Sequence, residues 1–199
     1  MNKALKFSLY SLLFNMAYSA YHILFGVITH SWWLFTVGFY YVLLSTVRFA
    51  VLQTKKRDGF ATKFTGIMLM LLSLPLVGTV ILAVVRDRGL VLHEIVMIVM
   101  AVYAFTKITL AIVNLIKSRN SSSAKLITLR NISLADAFVS IFSLQRSMLV
   151  SFDGMTETEI RIMNIATGTG VCIIVFLLGL NLVRNKKIMF SVLNSKRDS

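Results

Sequence analysis

The chain has 199 residues, 57% hydrophobic and 15% charged, with one proline and a mean hydropathy of +0.78. A soluble domain is nearer half apolar, so this composition predicts an all-α, polytopic membrane protein rather than a soluble fold. One cysteine, Cys172, excludes a disulfide within the chain, and the net charge of +13 has to be read by where it falls before it says anything about partners.

A membrane-spanning helix needs about 20 mainly apolar residues. Six segments qualify, at about 7–29, 32–52, 65–85, 92–116, 132–152 and 160–183, and a basic tail over 184–199 follows. Together they use nearly the whole chain, leaving a single transmembrane domain. The first segment has a basic start but is too long for a signal-peptide core and has no small-residue cleavage site, so it reads as a retained helix.

The basic residues sort between the segments. Lys3 and Lys6 precede the first; Arg48, Lys55, Lys56, Arg57 and Lys63 fall between the second and third; Lys117, Arg119, Lys125 and Arg130 between the fourth and fifth; and Arg184, Lys186, Lys187, Lys196 and Arg197 after the sixth. The remaining connections, HSW, RDRG and DGMTETE, are neutral or acidic. Lys and Arg favour cytoplasmic loops, so both termini are expected in the cytoplasm of a bacterial cell, with the chain in the cell membrane. The positive charge is then an orientation signal that also suits anionic lipid, and no nucleic acid is expected. The run SRNSSSAK is expected to separate the first four helices from the last two.

Residues three or four apart share a helix face. Ser11, Asn15, Tyr18 and His22 form such a line in the first segment. Tyr41, Ser45 and Arg48 do so in the second, Tyr103, Lys107 and Asn114 in the fourth, and Ser133, Asp136, Ser140, Ser143 and Ser147 in the fifth. Polar stripes face lipid only at a cost and are expected to meet inside the bundle. Hydroxyl stripes serve helix packing as readily as a solute path, and a lone histidine such as His22 is more often a hydrogen-bonded packing residue than a ligand.

Lys107 stands ten residues before Lys117, about 15 Å inside the edge at 1.5 Å per residue. A charge near the centre of a spanning helix costs about 2.5–3.5 kcal/mol. Its amine therefore needs a partner, a wet cavity or the loss of its proton. Asp136, six residues beyond Arg130 and about 9 Å deep, is within a lysine's reach. An ion pair between the fourth and fifth helices is expected.

Two further motifs carry less. NIATGTG lacks the strand and the Lys-Ser/Thr ending of a phosphate loop, so close helix packing is expected of it. Pro75 suggests a kink in the third helix. No paired carboxylates, histidine cluster or activated nucleophile occurs at usable spacing, so the chain is not expected to be an enzyme, and no cofactor is implied.

The order of features resembles the transmembrane domain of the cation diffusion facilitator family. NMAYSAYHILFGVITHS, running from Asn15 to Ser31, resembles that family's early asparagine, outer glycine and the serine opening its second helix. SAKL, from Ser123 to Leu126, resembles the Ser-x-x-Leu before its fifth. The resemblance implies six helices with both ends inside. It also implies a metal site of two ligands from helix 2 and two from helix 5; counting from Ser31 and Ser123 puts Val37, Tyr41, Ile132 and Asp136 there. Only Asp136 suits a metal, and a tetrahedral zinc site needs about four N, O or S ligands, so no tight zinc site and no zinc export are expected. The chain is also similar to small six-helix membrane proteins of Firmicute bacteria, which implies no activity. The resulting expectation is a homodimeric carrier of an ion or small solute, with a path along Asn15, Tyr18, His22, Tyr41, Tyr103, Lys107, Asp136, Ser140 and Ser143. An accessory or regulatory subunit of a larger membrane assembly is the alternative.

Overall fold

The structure, a computed structural model, describes residues 3–53, 59–85, 94–118, 123–151 and 154–184. The basic segment 55–57, Asp87 and its loop, Arg119 and the tail beyond Arg184 fall outside the described residues. The described chain forms six α-helices: α1 (Lys3–Ile28), α2 (Trp32–Gln53), α3 (Gly59–Val85), α4 (Glu94–Ser118), α5 (Ala124–Ser151) and α6 (Glu157–Arg184). All six are long and apolar enough to cross a membrane.

Four helices begin earlier than their apolar windows, α6 by the three residues from Glu157. α5 starts at Ala124 rather than near residue 132, α3 at Gly59 rather than 65, and α1 at Lys3 rather than 7. The polar turns AKLITLRN and GFATKF continue the helices past the apolar slab, so Lys63, Lys125 and Arg130 sit on helices and not in loops. There is a tertiary reason for α5: Thr128 hydrogen-bonds Thr62 at 3.0 Å and Lys125 donates to the Leu52 carbonyl at 2.5 Å. α3 runs through Pro75 without interruption.

The connections are built from local chemistry. Between α1 and α2 the chain reverses in three residues. His30 adopts φ 53°, the Ser31 amide donates to the Gly26 carbonyl at 2.9 Å, and the Ser31 hydroxyl caps α2 by accepting from the Leu34 amide at 3.5 Å. At α6, Thr156 and Glu159 exchange bonds in a capping box: the Thr156 amide donates to the Glu159 carboxylate at 2.8 Å and the Glu159 amide to the Thr156 hydroxyl at 3.3 Å.

The helices form a closed circuit, α1 on α2, α2 on α3, α3 on α6, α6 on α5, α5 on α4 and α4 on α1, and α5 touches every other helix. The SRNSSSAK linker therefore does not divide the bundle: α4 lies along α5 across it. Ser11 meets Arg48, Leu52 meets Lys125, and Gly66 meets Gly179, so the start of α1 and the end of α6 lie at the same end of the bundle. Two glycine contacts bring α3 and α6 close together. A Cβ on Gly66 or Gly179 would stand 2.7 Å from the other's carbonyl oxygen, and one on Gly168 would stand 2.5 Å from Val80. Close packing is thus the role of the first glycine of TGTG.

The surface is inverted relative to a soluble protein. Leu74, Ile81, Val102, Phe105 and Ile116 are exposed, whereas Ser11, Asn15, Arg48, Lys107, Asp136 and Ser140 are buried. With no water in a bilayer core to satisfy them, polar side chains turn inward and apolar ones outward. The chain is in this sense a multi-pass membrane protein.

Candidate functional site

The polar stripes of α1, α2, α4 and α5 converge. Every one of their members is 7% exposed or less, and Asn15, His22, Tyr41, Arg48 and Asp136 are 0% exposed. At the centre is the Asp136 carboxylate. Its Oδ2 accepts from Lys107 Nζ at 2.9 Å, Arg48 Nη2 at 3.1 Å and Asn15 Nδ2 at 3.0 Å. The expected Lys107–Asp136 pair between α4 and α5 is present, and α2 adds a second cation. Arg48, grouped by sequence with the basic residues between the second and third helices, instead turns inward from the last turns of α2. Its Nη1 donates to the Ser11 hydroxyl.

The Lys107 ammonium is surrounded by oxygen. Besides Asp136 it donates to the Ser11 carbonyl at 3.1 Å, the Ser11 hydroxyl at 3.1 Å, and Asn15 Oδ1. The Tyr103 hydroxyl donates to the same Asn15 oxygen at 2.9 Å, and the Tyr103 ring lies 5.1 Å from the amine, within cation–π range. Asn15 is the pivot: its amide oxygen takes Lys107 and Tyr103 while its nitrogen supplies Asp136. No other side chain of its size offers both functions.

One helical turn further along α1 the polar cluster becomes aromatic. Tyr18 stacks on Tyr103 with centroids 3.5 Å apart and an interplanar angle of 8°. Tyr41 meets both rings edge-on, at 5.3 and 5.9 Å, and its hydroxyl pairs with that of Ser140 at 3.0 Å. Ser143 lies beside Tyr18 and accepts from Ser147 through its carbonyl at 3.0 Å. His22 presents its ring 4.2 Å from Tyr18. Contrary to the expected hydrogen-bonded packing role, neither of its ring nitrogens has a hydrogen-bond partner among the described residues.

All nine candidate path residues therefore belong to one continuous buried column, and Ser11, Arg48 and Ser45 extend it. On its far side Asn114 donates to the Ser133 hydroxyl at 3.0 Å. The electrostatics are unequal: two cations face one carboxylate. Asp136 Oδ1 and Arg48 Nε, both buried, have no hydrogen-bond partner among the described residues. A buried polar atom left in this way costs about 1–3 kcal/mol.

The four positions matched to the cation diffusion facilitator metal site, Val37, Tyr41, Ile132 and Asp136, are all buried. Tyr41 pairs with Ser140 and Asp136 with Lys107 and Arg48. Among the described residues no three His, Cys, Asp or Glu side chains come together.

Two grooves lie outside the column. One of about 440 Å³ is lined by Val77, Ile81 and Val84 of α3 and Ile165, Cys172 and Ile173 of α6. Another of about 280 Å³ sits at the α1–α2 turn beside His30, Trp32 and Phe35. No protein-family model matches the chain, and no curated protein matches it.

Proposed function

We propose that the chain is a small membrane transporter that moves an ion or small solute along the polar column between α1, α2, α4 and α5, with Asp136 as its binding carboxylate. The observation that carries this reading is the complete burial of two cations and a carboxylate at mid-bundle. Ionisable residues inside spanning helices are rare and mark substrate and ion pathways, which supports this reading. An apolar trio of similar volume would hold the helices together as well or better, so stability alone does not account for them. The basic residues between helices support cytoplasmic termini and insertion in a bacterial cell membrane. A homodimer and a remote kinship with the cation diffusion facilitators remain part of the proposal.

Reconstitution in liposomes tests it, with K⁺, Na⁺ and H⁺ as probes. Wild-type protein carries at least one of them, and Asp136→Asn lowers the flux by more than about tenfold, as removal of a charge-assisted contact worth about 1.5–3 kcal/mol implies. Wild-type liposomes as tight as empty ones to all three would sink the reading.

The apolar α3–α6 groove favours a second reading, that of an accessory subunit whose partner lays a helix there. Gly78 and Gly170, one on each of these two helices, meet nothing within 4 Å. A photocrosslinker at Ile81 that captures one discrete polypeptide in native membranes, together with inactive liposomes, would select this reading over transport.

A further inference from the structure

The four oxygens around the Lys107 ammonium have the composition of a metal site for a hard cation. They are one carboxylate oxygen (Asp136 Oδ2), one backbone carbonyl (Ser11), one hydroxyl (Ser11) and one amide oxygen (Asn15). Alkali and alkaline-earth ions take such oxygens and no nitrogen or sulfur. All belong to α1 and α5, so the cage exists without α4, which contributes only the occupant. We propose that this cage is a binding site for a monovalent alkali cation, filled in this structure by the tethered ammonium of Lys107. This rests on the transporter reading and names its substrate class.

Two features point to a single charge. The cage has one formal negative charge, whereas divalent ions in protein cages are held by several carboxylates. Arg48 sits on the same Asp136 oxygen at 3.1 Å and repels a second positive charge. An independent observation bears on the ligand set: Asp136 Oδ1 is buried and has no hydrogen-bond partner among the described residues, so a second carboxylate oxygen is uncommitted and available to an ion. Lys107 and the cation then exclude each other. Withdrawal of the amine opens the cage to the ion, and return of the amine expels it, which is the alternation a carrier requires.

The test uses purified full-length Lys107→Met and Lys107→Met/Asp136→Asn, melted in KCl, RbCl, NaCl and choline chloride at equal ionic strength. Lys107→Met is expected to gain on the order of 5 °C in Tm in the alkali salt it binds over choline, when the ion is roughly a hundredfold above its Kd. The double variant is expected to melt alike in all four, and wild type to respond far less than Lys107→Met. Equal melting of Lys107→Met in all four salts overturns the site, and so does a failure of Lys107→Met to fold that no alkali cation relieves. Flux separates this from the transporter reading. Cation binding by Lys107→Met beside wild-type liposomes that carry nothing keeps the site and removes transport. Wild-type flux with no cation response in Lys107→Met keeps transport and removes the site.

Discussion

Asp136 Oδ2 holds donors from three helices, so the members of the cluster are not interchangeable. Asp136→Asn leaves two buried cations with no carboxylate and is expected to cost about 3–5 kcal/mol. Lys107→Met leaves Asp136 still paired to Arg48 and Asn15. In choline chloride it is expected to cost less, about 1.5–3 kcal/mol, the worth of a hydrogen bond to a charged group. The double variant should be more stable than the sum of the two losses, because its members share one oxygen. Unfolding of the three proteins in mixed micelles measures the coupling, and strict additivity would show that the ion pair carries no joint energy. The pair itself was legible in the sequence, since two opposite charges on adjacent spans, separated in depth by no more than a lysine side chain can reach, have few alternatives. Arg48 as a third member was not. Its place near the end of an apolar run groups it with the neighbouring loop, and only the rotation of α2 decides whether its side chain runs to water or to Asp136. The Ser11 carbonyl was out of reach for a different reason: a backbone acceptor has no signature in residue type.

At the scale of the helices, the apolar windows located all six elements and missed where four of them begin. A hydropathy window senses the slab that must avoid water, whereas the helix persists as long as hydrogen bonds and neighbours sustain it. The opening of α5, fixed by Thr128 against Thr62 and Lys125 against Leu52, shows the difference. The same limit applies to glycines. In TGTG the sequence suggests packing, yet only one of the two glycines packs: Gly168 meets Val80 and Phe142, and Gly170 meets nothing within 4 Å. Gly66 and Gly179, which bring α3 and α6 into contact at their carbonyls, carried no motif at all. Substitution separates them. Gly179→Leu should destabilise by about 1–3 kcal/mol through overpacking against Gly66 and Met70. Gly170→Ala should be neutral or raise Tm slightly, by the 0.5–1 kcal/mol or so that alanine gains over glycine in a helix. Thermal melts of the two variants read this directly, and equal losses would mean that α6 packs on a different face.

For the whole molecule, the even number of helices and the meeting of Ser11 with Arg48 place the ends of the described chain on one side of the bundle, and the basic residues then choose the side. Lys63, Lys125, Arg130 and Arg184 cluster at the end where α1 starts, while Glu157, Glu159 and Arg161 stand at the other. Positive residues resist translocation when they flank spans closely, and acidic ones contribute little, so the α5–α6 turn is expected outside. That turn is exposed, with Met155 at 44%, and Gln53 is exposed at the opposite end, on the last turn of α2. In a Cys172→Ser background, Met155→Cys should react with a membrane-impermeant maleimide in intact cells, and Gln53→Cys only after permeabilisation. The reverse pattern would invert the orientation. Labelling of both in intact cells would break the six-span topology, because two positions at opposite ends of one bundle cannot share a compartment while every helix between them crosses the bilayer.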